Sequence, residues 1–163
     1  ELRGVIEDQI TNIVEANQRI RELRAAPGAS TGPPAAGIPH QEDLVTQGLA
    51  RIEMLLTSTI ATITGLTRLG LFQRDPKARN FGVSSTWGGD GLPTVIPIDL
   101  GSTFFPTAED GVMGGDAWRG MAEAMLVSIS GILGLRFPRG HRGETYDRVK
   151  EVIARGHSWV KRT

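Results

Sequence analysis

Cysteine is absent from the sequence. That excludes a disulfide framework, a thiolate zinc site and a cysteine nucleophile, and leaves the redox compartment undetermined. Aromatic residues make up only 6% of the chain while glycine (21) and proline (9) are plentiful, so helices separated by irregular segments are expected rather than one aromatic-rich core. Histidine is scarce: His40, His141 and His157 complete the set, leaving few ways to build a catalytic base or an imidazole metal site. No signal-peptide pattern is visible. The chain opens at Glu1 already inside a helical pattern, which fits processing or a longer parent protein.

What is present suffices for one domain. The chain has 163 residues and a hydrophobic share of 39%, enough to bury a core if the apolar side chains fall on the right faces. Formal net charge is zero, but the charge is unevenly placed. Asp75, Asp90, Asp99, Glu109, Asp110 and Asp116 make the middle acidic, while Arg136, Arg139, Arg142, Arg148, Lys150, Arg155, Lys161 and Arg162 make the end basic. The preference for arginine suits carboxylate or phosphate contacts, and it follows equally from a GC-rich genome.

Periodicity divides the chain. In residues 1–24, Ile6, Ile13 and Ile20 recur every seven residues, with Ile10 and Asn17 at the alternate positions, the pattern of a coiled-coil seam with one polar member. The seam Asn fixes register, and the isoleucines favour higher oligomers, so two to four strands are expected. An amphipathic helix lying on its own chain is the alternative. Residues 25–40, with the run AAPGASTGPPAAGIP, read as a semi-extended linker. Residues 41–72 carry the strongest pattern: Val45, Leu49, Ile52, Leu56, Thr59, Ile63, Leu66 and Gly70 alternate spacings of four and three. No charge falls between Glu53 and Arg68, so this helix is expected to be covered on more than one side. The uncharged stretch is short for a bilayer and rich in threonine, which argues against a membrane span.

Residues 73–115 are irregular and punctuated by glycine and proline, with short strands expected at Thr94–Leu100 and Ser102–Phe105 and Pro97 confining the first to an edge. Such a loop suits gripping a neighbour. In residues 116–163, Asp116 is a candidate N-cap for a helix to Leu135 whose apolar face is Trp118, Ala122, Met125, Ile129, Ile132 and Leu133. A last helix is expected over Glu144–Arg155, stopped by Gly156 and followed by a basic tail containing Trp159.

Motifs for chemistry are weak. Gly88, Gly89 and Gly91 around Asp90 lack the Lys-Ser/Thr pair of a phosphate loop and read as a tight turn. Glu109, Asp110 and Asp116 lack calcium-loop spacing. A triad built on His141 or His157 has no nucleophile motif beside it. Arg136, Arg139, Arg142, Trp159, Lys161 and Arg162 could contact a nucleic-acid backbone, or dock the acidic middle segment of a neighbour.

The expectation is therefore a mainly α fold, with coiled-coil or helical-bundle segments and an irregular region holding short strands. Function is expected to be non-enzymatic, without cofactor or metal: a homo-oligomeric structural or assembly protein, as in a virion or another repeated assembly. Its contacts would be with itself and with other proteins, through a seam of Ile6, Ile10, Ile13, Asn17, Ile20, Val45, Leu49, Ile52, Leu56, Ile63 and Leu66. The alternative is an oligomeric nucleic-acid-binding or polymerase-associated factor; an enzyme using Asp90, Asp99 or His141 ranks last. The compartment stays open, with an intracellular or virion setting favoured.

Overall fold

The computed structural model describes residues 1–28, 36–84, 93–105, 117–136 and 143–162. The chain is mainly α-helical. Helices α1 (Leu2–Ala25), α2 (Ile38–Arg68), α3 (Ala117–Arg136) and α4 (Glu144–Arg162) are accompanied by strands β1 (Phe72–Gln73), β2 (Phe81–Val83), β3 (Val95–Pro97) and β4 (Thr103–Phe104).

α1 buries Leu2, Ile6, Ile10, Ile13, Ala16 and Ile20 against its own chain. The heptad pattern is thus satisfied inside the chain, as in the amphipathic-helix alternative. At the turn assigned to Asn17 the buried side chain is Ala16, and Asn17 lies at the half-buried margin. Each buried isoleucine contributes roughly 1.5–3 kcal/mol relative to exposure.

α1 and α2 form an antiparallel hairpin, tied at its connected end by Arg24 to Glu42 at 3.1 Å. Midway, a Cβ on Gly48 would lie 2.6 Å from Ile13 Cγ1. A glycine inside a helix costs about 1 kcal/mol relative to alanine, and here it opens the space in which Ile13 packs. α2 buries both Val45, Leu49, Ile52, Leu56 and Ile63 and the flanking Leu55 and Ile60, so it is covered on more than one side.

Its limits differ from the periodic stretch for local reasons. Pro39 sits in the first turn, where a missing N–H is harmless, so the helix starts at Ile38 rather than Gln41. At the other end Gly70 takes φ +74°. Its N–H donates to Thr67 O (3.0 Å) and Leu71 N–H donates to Leu66 O (2.9 Å), closing the helix before Phe72.

α3 and α4 pack on each other, α3 also against α1 and α4 against α2, completing a bundle of alternating direction. Met125, Leu126, Ile129, Ile132 and Leu133 meet Val149, Val152, Ile153 and Val160 in its core. The expected stop at Gly156 is corrected: α4 continues through it to Arg162. A Cβ at Gly156 would come within 3.2 Å of Leu126, so this glycine gives α3 room to approach and the helix continues because Val160 still reaches the core. The N-cap assigned to Asp116 and the glycine cluster around Asp90 lie outside the described residues.

Two antiparallel ribbons sit on the bundle. β1 pairs with β4, Phe72 opposite Phe104, and β2 pairs with β3, Gly82 opposite Ile96. In the second ribbon the ladder runs through alternate positions, with Ser84 N–H donating to Thr94 O and Ile98 N–H to Asn80 O, both at 2.9 Å. Pro97, opposite Phe81, falls at a position whose nitrogen the ladder does not use.

Candidate functional site

The threonine-rich part of α2 holds the β2–β3 ribbon. Ser58 Oγ donates to Pro93 O at 2.6 Å and Thr62 Oγ1 donates to Val95 O at 2.7 Å. Spaced four residues apart, these hydroxyls lie on one face of the helix and satisfy one carbonyl of β3 and one just before it. Thr59, Thr64 and Thr67 return their hydroxyls to the carbonyls of Leu55, Ile60 and Ile63, which lets an uncharged helix carry them at little cost.

The ribbon has two unlike faces. Phe81 and Val95 are buried on the inner face. The outer face carries Ile96 and Ile98, and Gly82 sits beneath them: a Cβ there would lie 2.8 Å from Ile98 Cγ2. Ile96 (53%), Ile98 (51%), Leu100 (68%) and Phe105 (69%) are all strongly exposed within one short stretch of chain. Isolated exposed apolar residues are ordinary, and four in one short stretch set this segment apart. Sequence reasoning placed the strand but missed this surface. Its signal was present in VIPIDL, where apolar residues occupy both alternating sets rather than one.

The seam residues are brought together, but toward the interior. Ile6, Ile10, Ile13, Ile20, Val45, Leu49, Ile52, Leu56 and Ile63 are buried, and Leu66 is half-buried. Among the described basic candidates, Arg136 lies apart from Trp159 and Arg162. Arg136 is ion-paired to Glu7 of α1, at the α1–α3 seam. Trp159 and Arg162 instead line a groove between α4 and α2 with Leu56, Ile60 and Val152, where Arg155 pairs with Glu53 at 3.2 Å. Lys161 is exposed at the end of α4; Arg139 and Arg142 lie outside the described residues.

Among the titratable candidates, His157 Nδ1 meets Glu123 Oε2 at 2.5 Å, linking α4 to α3. Asp99 accepts a hydrogen bond from Gly101 N–H at 3.2 Å and caps the short 3₁₀ turn Leu100–Ser102. His141, Asp90, Glu109 and Asp110 lie outside the described residues. Among those described, no group of histidine and carboxylate side chains is clustered for a metal.

One concave region gathers charge. A second 3₁₀ turn, Ala78–Asn80, is docked on α3 by Ala78 N–H donating to Ser128 Oγ at 3.3 Å. Asn80 Nδ2 donates to Asp75 O at 2.7 Å, fixing the loop. This places Lys77 and Arg79 beside Arg3 around a cavity of about 370 Å³, completed by Ser128, Gly131, Ile132 and Leu135 of α3. The Arg136 guanidinium, aided by Arg3, holds the Glu7 carboxyl below the usual carboxylate range. Lys77, with Asn80 and Arg79, does the same for Asp75.

No protein-family model, curated protein or solved structure matches the chain. α2 alone among the described helices is long and apolar enough to cross a bilayer, and here its apolar faces are packed against the other helices.

Proposed function

We propose that the chain is a non-enzymatic assembly protein that associates with copies of itself, with the outer face of the β2–β3 ribbon as the contact. The observation that carries this reading is the exposed run Ile96, Ile98, Leu100 and Phe105, which begins on the ribbon that α2 holds by side-chain hydrogen bonds and continues through the turn and strand after it. The helical stripe is already occupied inside the protomer, so association has to use another surface. Burying this run in two copies contributes on the order of 10 kcal/mol, against roughly 4–15 kcal/mol for lost freedom and ordering. The balance describes a concentration-dependent oligomer rather than an obligate one.

A nucleic-acid role draws less support, because Arg136 and Arg162 sit at different seams and Arg136 is turned to an ion pair with Glu7. The deciding experiment is solution mass by light scattering across concentration, for the native chain and an Ile96→Asp, Ile98→Asp variant. A multimer that the variant reduces to monomer, with helical content unchanged, supports the proposal. A native monomer at all concentrations, or a multimer indifferent to the variant, overturns it.

A further inference from the structure

The cavity beside the Ala78–Asn80 turn has a charge arrangement that the ribbon contact does not use. The described residues lining it include Arg3, Lys77 and Arg79 and no carboxylate. Two acids lie behind these cations, and each is shared. Glu7 accepts from Arg3 at 2.9 Å and from Arg136; Asp75 pairs with Lys77 at 2.9 Å and with Arg79 at 3.5 Å. One carboxylate between two cations leaves positive charge in excess at both places.

The remaining wall is apolar. Ile132 is buried at its base, Leu135 is 73% exposed at its rim, and nothing lies within 4 Å of the position a Gly131 Cβ would take. A hollow with a cationic side and an aliphatic side fits a ligand carrying carboxylates beside an apolar side chain. No aromatic ring lines it among the described residues, so it offers no platform on which a base would stack.

We propose that this cavity docks an acidic segment of a partner protein, its carboxylates against Arg3, Lys77 and Arg79 and an apolar side chain over Ile132 and Leu135. The cations are contributed by α1 and by the turn held to α3 through Ser128, so the site exists only in the folded chain. Screening by salt weakens the carboxylate contacts and leaves the apolar contact in place.

The test is fluorescence polarisation of the full chain with a labelled peptide alternating glutamate and leucine, at low salt. Peptides of glutamate alone and of lysine with leucine, and a single-stranded oligonucleotide, serve as the other arms. Binding of the glutamate–leucine peptide is expected to weaken about tenfold or more in a Lys77→Ala, Arg79→Ala variant. Both side chains are more than half exposed, so circular dichroism should match the native chain. A Gly131→Met variant, which fills the hollow without changing charge, is expected to weaken binding as well. The proposal is overturned by no binding at low salt, by equal binding of the glutamate-only peptide, by an oligonucleotide that binds in place of the peptide, or by indifference to both variants.

Discussion

The isoleucines of α1 and those on and beside β3 meet opposite fates. Ile6, Ile10, Ile13 and Ile20 are at most 5% exposed, while Ile96 and Ile98 stand about half exposed at 53% and 51%. The helix repeats its apolar residues on one face, and a neighbouring helix of the same chain covers that face. The strand alternates its side chains, so one set enters the core with Phe81 and Val95 while the other must face outward. The same residue type is therefore cohesive within the core in one place and left at the surface in the other.

Aspartate substitution breaks that comparison most sharply. Ile13→Asp buries a charge between α1 and α2 and is expected to cost more than about 4 kcal/mol, enough to abolish the cooperative thermal transition followed by circular dichroism. Ile96→Asp in the same measurement is expected to stay within about 0.5 kcal/mol of the native chain. If Ile96→Asp unfolded the protein, the outer face of the ribbon would be core rather than surface.

Glycine substitution sharpens the interior half. Gly48→Ala forces a methyl group against Ile13 and is expected to destabilise by roughly 1–3 kcal/mol, part of it returned by alanine's better helix propensity. Gly65→Ala, in the same helix but with open space around it, is expected to stabilise by up to about 1 kcal/mol. Urea midpoints moving in opposite directions would establish that close approach, and not helix propensity, sets the demand for glycine at the α1–α2 contact.

The smallest effect tests how the ribbon is held. Thr62→Val leaves the Val95 carbonyl without its hydroxyl partner and is expected to cost about 1 kcal/mol. Faster amide exchange confined to Gly82, Ser84 and Ile98 would locate that loss in the β2–β3 ladder. Unchanged exchange there would mean that inner-face packing of Phe81 and Val95 holds the ribbon without the hydroxyls of α2.

Much of the fold was legible because helical periodicity is local. The apolar positions of α1, α2 and α3 stand in the sequence at the spacings that place them on one side of a helix. Glycine was the less reliable guide. Gly70, which the spacing placed within the helical stripe, closes α2 through its positive φ, whereas Gly156, expected as a stop, lies inside α4 and faces Leu126. The cation-lined cavity was illegible: Arg3 is remote in sequence from Lys77 and Arg79, and only the docking of their turn on α3 brings the three together.

The sequence by itself determined the helices, the irregular region between them and the extended character of the Val95–Pro97 segment, since each follows from local spacing and backbone preference. Whether the isoleucine stripe of α1 would meet another chain or its own was decided by the tertiary structure alone. Periodicity specifies that an apolar face must be covered, but any complementary face satisfies it equally. Here Gly48 and the apolar side chains of α2 bring a covering surface within reach of the same chain.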